Sequence, residues 1–135
     1  MRSREKNPMD DLSKKGPSTK ARGDAAESAA LEYLQARGMR LLARNYRTPG
    51  RGGGEIDLIV RAADGTVVFV EVRSRRTAAA GGAGASIGHF KQARIVRAAQ
   101  HYLLRWRVCP AMRFDAVLIE NGQIRWIEAA FDAGG

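Results

Sequence analysis

Two stretches in which polar and apolar residues alternate, 54–60 and 67–73, predict a pair of neighbouring β-strands. If a three-residue loop ending in a left-handed Gly65 joins them, the apolar positions of both strands fall on one face of an antiparallel hairpin. These positions are Ile56, Leu58 and Val60 in the first strand and Val68, Val70 and Val72 in the second. A two-residue turn would mix acidic and aliphatic side chains on one face, so we expect the longer loop.

The same register places two carboxylates directly opposite each other. Asp57 then faces Glu71, and Glu55 faces Arg73. Facing carboxylates repel unless one is protonated or a metal ion lies between them, and their hard oxygens suit Mg²⁺ or Mn²⁺. The alternative is a polar strand face that only meets water. Two large apolar residues also lie on the acidic face: Ile59 and Phe69. We therefore expect that face to be partly covered, which favours a site.

The rest of the pattern predicts an α/β fold, a mixed sheet of about five strands with helices packed on it. A first helix is predicted over 24–37, with Asp24 as N-cap and Gly38 as left-handed C-cap, and a strand follows over 39–47. A second helix is predicted from Ser86 to about Arg107. Two strands, over 113–120 and 123–129, are then joined by an Asn121-Gly122 turn. Residues 74–84 are basic and then almost all Ala and Gly, so we expect mobility there. Residues 1–22 predict a disordered basic tail, which leaves 23–135 as one domain.

The chain is strongly basic, with a formal net charge of +9 over 135 residues. Residues 1–22 contribute +4 of this charge and residues 23–135 contribute +5. A positive surface favours polyanionic partners, and nucleic acid, with DNA first, is the leading candidate; an anionic membrane surface and solubility alone are the alternatives. The oligomeric state is left open, a dimer included.

The distribution of apolar residues and cysteine indicates a cytoplasmic protein. No apolar run approaches the roughly 20 residues that span a bilayer, and the charged N-terminus lacks the apolar core of a secretory signal. The single cysteine, Cys109, can form no internal disulfide and lacks companions for a zinc site. We therefore expect no membrane contact.

An acid on one strand followed by Glu-x-basic on the next resembles the PD-(D/E)xK signature of the restriction-endonuclease-like superfamily. The matches are Asp57 and the triplet Glu71-Val72-Arg73. More closely, the chain resembles the YraN family of small bacterial proteins, from about Gly23 to Phe131. The matching segments are 23–27, 44–47, 54–59, 69–73, Lys91 and 113–115. This resemblance implies a restriction-endonuclease-like mixed sheet flanked by helices.

The superfamily resemblance also implies a metal site. Asp57 and Glu71 would hold Mg²⁺ or Mn²⁺ with the backbone carbonyl of Val72. Glu27 is implied as a third acid by similarity to archaeal Holliday-junction resolvases. Alternatively, Glu27 only completes a capping box that begins at Asp24.

Arg73 stands where the superfamily normally has lysine. A guanidinium can position phosphate or stabilise developing charge, but unlike lysine it does not help to activate water. The candidate catalytic residues are Asp57, Glu71 and Arg73. Lys91 and Arg94 lie in the early turns of the second predicted helix, where helix amides favour anions, and are candidate nucleic-acid contacts. A solvated basic face is the alternative for them.

The last predicted hairpin contains a further acid. Its two-residue turn brings Asp115 opposite Glu128, and Arg113 is placed to neutralise both. We interpret Arg113 and Asp115 as structural rather than catalytic.

Three functions are compatible with these residues. The leading hypothesis is a metal-dependent nuclease that hydrolyses phosphodiester bonds, with branched or damaged DNA among its candidate substrates. The second is a non-catalytic nucleic-acid-binding module of the same fold that has lost turnover through Arg73. The third is a protein-interaction domain whose acids are merely solvated.

Overall fold

Within the part of the chain that the structure describes, five strands pair into one sheet in their order along the chain. The computed structural model describes residues 18–75 and 87–133. Its elements are α1 (Thr19–Gln35), β1 (Arg40–Arg47), β2 (Glu55–Arg61), β3 (Val67–Arg75), α2 (His89–Leu103), β4 (Met112–Glu120) and β5 (Gln123–Phe131). Neighbouring strands are antiparallel, except that β3 and β4 are parallel. The predicted α/β fold with a mixed sheet flanked by helices is confirmed.

The hairpin of β2 and β3 forms in the predicted register. The observed pairs are Leu58 with Val70, Ile59 with Phe69 and Val60 with Val68. Gly65 has a φ of +93°, a left-handed conformation that glycine adopts without steric cost. Ala62 donates its N–H to the carbonyl of Thr66 at 2.9 Å and so closes a three-residue loop. The loop length and the special role of Gly65 are both confirmed.

Each helix covers one face of this hairpin. α1 contributes Ala30 and Leu34 to a cluster that also contains Leu58, Val60, Val68 and Val70. α2 contributes Ile95, Ala98, Ala99 and Tyr102 to a second cluster, on the opposite face, that contains Ile59 and Phe69. The sequence predicted one apolar face and one partly covered face. Instead Ile59 and Phe69 are 0% and 1% exposed, because α2 packs directly over them.

The position of Ile56 differs from the prediction. Strict alternation places Ile56 with Leu58 and Val60, but Ile56 packs in the cluster beneath α2 while the other two pack beneath α1. The regular β2–β3 register begins only at Leu58. One residue earlier, the side chain of Asp57 accepts the N–H of Val72. The alternation is therefore interrupted next to the acidic residues.

Both helices begin and end at residues other than those predicted. α1 begins at Thr19, because the hydroxyl of Ser18 accepts the N–H of Ala21 at 3.1 Å and caps the first turn. Asp24 is thus a residue of the helix interior and not its N-cap. Gly38 is left-handed as predicted, with φ +93°. α2 ends at Leu103 rather than near Arg107 and is capped by Gly88; the predicted cap, residue 86, lies outside the described residues.

The segment expected to be mobile begins with two residues that belong to a strand. Ser74 and Arg75 are the last residues of β3, where they continue the parallel pairing with Ile119 and Glu120 of β4. The remainder of that segment, 76–84, and most of the predicted tail, 1–17, lie outside the described residues. In the final hairpin, Asn121 and Gly122 have φ values of 51° and 78°, which confirms the predicted two-residue turn. Neither α1 nor α2 has the length and apolar character of a membrane-spanning helix.

Candidate functional site

Acidic side chains from three elements line one cavity at the end of the β2–β3 hairpin opposite its turn. They are Glu27 of α1, Asp57 of β2 and Glu71 of β3. The cavity has a volume of about 400 Å³ and is also bordered by Val72 and by Lys91 of α2. Antiparallel pairing brings the start of β2 beside the end of β3, and the two helices reach this end from opposite faces. All four residues predicted to be metal ligands therefore meet here, together with one predicted nucleic-acid contact.

Glu71 is the most buried carboxylate of the cavity, with only 8% of its surface exposed. Its Oε2 atom lies 3.6 Å from Nζ of Lys91, while its Oε1 atom is buried and has no hydrogen-bond partner among the described residues. Burial, and then the negative charge of Asp57, raise the pKa of Glu71 to about 8, although Lys91 and Arg73 act in the opposite direction. Near neutral pH this carboxyl therefore holds a proton unless a cation stabilises its charged form.

Asp57 connects the two strands at the cavity. Its Oδ2 atom accepts the backbone N–H of Val72 at 2.8 Å. Its charge raises the pKa of Glu71 and also that of Glu27, so the carboxylate is close to both. The predicted meeting of Asp57 and Glu71 is thus observed, and the acid of α1 joins them.

Glu27 faces the same cavity, although its helix begins elsewhere than expected. Burial is the largest effect that raises the pKa of Glu27, and the negative charge of Asp57 is the second. Arg44 and a hydrogen bond from Asn45 lower this pKa. Nε of Arg44 is 3.5 Å from Oε1 of Glu27, an ion pair without hydrogen-bond geometry. Because Ser18 caps α1, the capping-box explanation for Glu27 is wrong. Asp24, the proposed partner in that box, pairs with Lys20 at 3.0 Å.

The cations predicted to contact phosphate are held by acids of the same region. Lys91 pairs with Glu71, and Nη2 of Arg94 lies 3.1 Å from Oε1 of Glu55. Glu55 had been expected opposite Arg73. Arg73 lines an adjoining cavity of about 510 Å³, which Glu71 and Lys91 also border. The acids therefore lie beside two cations, Arg73 on β3 and Lys91 on α2.

Asp115 lies outside this cavity and serves the fold, as predicted. The residue is fully buried, and its carboxylate accepts four hydrogen bonds. The donors are Nε of Arg113 to both oxygens at 3.0 and 3.2 Å, Nε1 of Trp126 at 2.9 Å and the N–H of Ala129 at 2.9 Å. Asp115 does not lie opposite Glu128 as expected, because the register of β4 and β5 shifts between Phe114 and Ala116. Glu128 instead forms an ion pair with Arg113.

Comparison with models of protein families identifies the family of this chain. Residues 26–119 match the model described as Uncharacterised protein family UPF0102. The chain belongs to the UPF0102 family. This confirms the YraN-like resemblance at the level of the family, whereas membership of the PD-(D/E)xK superfamily stays a prediction.

Relatives of this UPF0102 protein match it over most of their length. A UPF0102 protein of Paracidovorax citrulli is 68% identical over 86% of this chain and 86% of its own. One of an Acidovorax species is 65% identical over 85% and 87%, respectively. Among solved structures, the one titled "Crystal structure of SSO0001" is 15% identical, with a TM-score of 0.41 over 83% of this chain and 53% of that chain.

The donor atoms of the UPF0102 cavity suit a hard divalent cation. Oε1 of Glu27 and Oε1 of Glu71 are both buried without a hydrogen bond from the described residues. Within 18–75 and 87–133, no three His, Cys, Asp or Glu side chains lie close enough together to hold one ion. Mg²⁺ keeps several waters and takes only one or two protein carboxylates. Asp57 and Glu71 with the Val72 carbonyl therefore fit such an ion better than a set that requires Glu27 as well.

Two residues at the UPF0102 site were missed by the sequence reasoning. Arg44 and Asn45 of β1 both act on Glu27, and Arg44 is held by the carbonyl of Asp24 at 2.9 Å and the hydroxyl of Ser28 at 3.0 Å. Asn45 has a positive φ of 54°, which asparagine tolerates better than most residues. The Arg44-Asn45 pair had been noted only as part of the family resemblance. Its role depends on how β1 packs against α1, which local pattern does not reveal.

Proposed function

We propose that this UPF0102 protein is a metal-dependent nuclease that hydrolyses phosphodiester bonds in nucleic acid. One observation carries the proposal: carboxylates from three elements share a cavity, and Asp57 raises the pKa of both of the others. Clustered acids with raised pKa values destabilise the folded state and are typical of functional sites. A divalent cation would relieve that cost.

Asp57, Glu71 and the carbonyl of Val72 would hold Mg²⁺ or Mn²⁺, and Glu27 would add a third negative charge to the cavity wall. When bound, the ion would polarise the scissile phosphate and lower the pKa of the attacking water. The N–H of Val72 already orients Asp57, so one ligand is positioned before the ion arrives. Glu71 must lose its proton for binding, because only the carboxylate is a good ligand.

The basic residues would act on the phosphate. Lys91 and Arg73 both border the adjoining cavity of about 510 Å³, which Glu71 also lines, so a phosphate there would meet two positive charges. A guanidinium presents a planar fork that matches phosphate oxygens, and it stabilises charge that develops during displacement. With a cation bound to Glu71, Lys91 would be free to contact the substrate phosphate.

The net charge supports nucleic acid as the substrate class. The formal charge is +9, and arginines continue beyond the cavity on α2 at Arg94 and Arg97. Such surfaces bind phosphate backbones through counterion release. Arg94 is held at 3.1 Å by Glu55, so it would contact the backbone from a fixed position.

A second function, nucleic-acid binding without cleavage, is favoured by Arg73. This residue occupies the position at which the resembling superfamily carries lysine. Metal and phosphate binding survive that exchange, but assistance to water is lost.

Cleavage and metal-binding assays with Asp57→Asn separate these functions. The nuclease proposal expects Mn²⁺-dependent cleavage of duplex, single-stranded or four-way DNA by the wild type and its loss in Asp57→Asn. Asp64→Asn is the matched control, since Asp64 lies in the turn at the far end of the same hairpin. Equal cleavage by wild type and Asp57→Asn would remove the mechanism. Mn²⁺ binding and DNA binding without any cleavage would leave nucleic-acid binding as the function.

A further inference from the structure

A second cavity of about 480 Å³ lies between the β1–β2 loop and the first turns of α2. The loop contributes Thr48, Gly50, Gly52, Gly53 and Gly54, and the helix contributes Phe90, Ala93, Arg94 and Arg97. This volume lies in the range of ordinary ligand pockets, about 300–1,000 Å³. The cavity is therefore large enough for a nucleotide-sized group.

The loop is fastened in place on both sides. Gly54 donates its N–H to the hydroxyl of Thr48 at 2.7 Å, and Thr48 donates its N–H to the carbonyl of Gly54 at 3.1 Å. Across the cavity, Arg97 donates to the carbonyl of Gly52, and Arg94 donates to that of Gly53. The cavity is thus formed before any ligand binds, which lowers the entropic cost of binding.

Phe90 is the exposed aromatic residue at this cavity. Its surface is 82% exposed, although it belongs to a helix whose other face is buried under the sheet. Three arginines and one glutamate also line the cavity: Arg47, Arg94, Arg97 and Glu55. Their formal charges sum to +2. An open aromatic face among arginines is the combination that binds an unpaired base together with its phosphate.

The cavity is next to the acidic site. Phe90 directly precedes Lys91 on α2, and Lys91 pairs with Glu71 at 3.6 Å. Likewise Glu55, which lines this cavity, precedes Asp57 by two residues on β2. Residues that line the two cavities are therefore neighbours along both α2 and β2.

We propose that this cavity binds one unpaired nucleotide, with Phe90 stacking on the base. The inference rests on the proposed function and names its substrate class, nucleic acid with a single-stranded extension. Bases inside a duplex are stacked on their neighbours and cannot present a face to Phe90, whereas an unpaired base can. Arg47 and Arg97 attract the phosphate of the same nucleotide.

Binding in EDTA tests this inference independently of cleavage. The probes are a blunt DNA duplex, the same duplex with a short thymidine extension, and the same extension made of abasic residues. We expect the wild type to bind the thymidine extension about tenfold more tightly than the abasic one, the usual value of one stacked base. Phe90→Ala should abolish that difference, and Phe90→Trp should keep it. Leu104→Ala removes another exposed apolar residue of the same helix region, 78% exposed, and should change nothing.

Several results would overturn the inference. One is equal loss of affinity for all three probes in Phe90→Ala, which would indicate a general effect on phosphate binding. Another is a change of oligomeric state in Phe90→Ala without DNA, which would assign Phe90 to a protein interface. Failure of the nuclease proposal appears instead as equal cleavage by wild type and Asp57→Asn, so the two failures are distinguishable.

Discussion

The backbone N–H of Val72 is bonded to Oδ2 of Asp57 across 2.8 Å, at the point where the regular pairing of β2 and β3 ends. This bond fixes the carboxylate of β2 beside Glu71 of β3. The alternation that would have placed Ile56 with Leu58 is interrupted at the same point. A local irregularity of the sheet is thus what positions the acidic residues.

The first prediction concerns the pH dependence of metal binding. The pKa of Glu71 is raised to about 8 and that of Glu27 is also raised, so protons compete with the ion at neutral pH. If Mn²⁺ displaces one proton, its affinity should rise about tenfold per pH unit between pH 6 and about 8 and then level off. Calorimetric titration of Mn²⁺ at several pH values measures this slope. Glu32→Gln, an exposed change on α1, should leave it unaltered, and an affinity independent of pH would contradict the proposed ligands.

The free energy of unfolding of the metal-free protein should fall as the pH rises, whereas the metal affinity should increase. Glu71 has a folded-state pKa above its ordinary value of 4.5, so the folded state binds its proton more tightly than the unfolded state does. The stabilisation is complete below about pH 4.5 and is lost as the pH rises through about 8. Urea unfolding should therefore show a falling free energy over this window. Glu71→Gln should flatten the dependence, and an unchanged slope in that variant would assign it to other groups.

The buried carboxylate of Asp115 should be essential for stability. Its four hydrogen bonds come from Arg113, Trp126 and Ala129, and an amide in its place would direct two hydrogens at these donors. Breaking a buried charge pair typically costs about 3–5 kcal/mol, so we expect that loss in Asp115→Asn. Urea unfolding followed by tryptophan fluorescence measures it. Asp132→Asn, at an exposed site after β5, is the control, and a loss below about 1 kcal/mol would show that Asp115 is not the structural centre of this hairpin.

How much of this architecture could be predicted depends on how local each cause is. The hairpin register follows from alternation and from Gly65, and the last turn follows from Asn121-Gly122, because turn chemistry involves adjacent residues. The covering of Phe69 could not be predicted, since it depends on the packing of α2 from a distant part of the chain.

The candidate site divides in the same way. Asp57 and Glu71 were found because two carboxylates interrupt apolar strands. Whether Glu27 caps the helix or faces the cavity depends on where α1 begins. Ser18 caps its first turn, whereas the sequence pattern placed the N-cap at Asp24. The contact between Arg44 and Glu27 joins a strand to a helix and carries no local signal.

Two glycine variants should have opposite effects on stability. A Cβ at Gly54 would lie 1.9 Å from the carbonyl oxygen of Arg94 and 2.9 Å from the nitrogen of Ala98, so β2 and α2 would have to separate. Gly54→Ala should therefore destabilise the fold by about 2 kcal/mol or more. Gly23 lies in the interior of α1 with nothing within 4 Å of an added Cβ, and Gly23→Ala should stabilise the fold by about 0.5–1 kcal/mol. Thermal unfolding compares the two variants, and a stable Gly54→Ala would contradict the close contact of strand and helix.

Arg73→Lys probes the role of the basic residue on β3. Arg73 and Lys91 border the same cavity beside Glu71, but only a lysine at position 73 would add a group that can exchange a proton with water. If the arginine limits turnover, Arg73→Lys should raise the Mn²⁺-dependent cleavage rate about tenfold or more, a modest share of the effect of proton-transfer catalysis. The pH dependence of the rate should gain a new ionisation in the variant, and Mn²⁺ affinity should stay the same. The control is Arg125→Lys, the same exchange at an exposed position of β5 that does not line this cavity. A loss of activity in Arg73→Lys with unchanged metal affinity would instead show that the planar guanidinium itself binds the reacting phosphate, because a lysine keeps the charge and removes only the fork of donors.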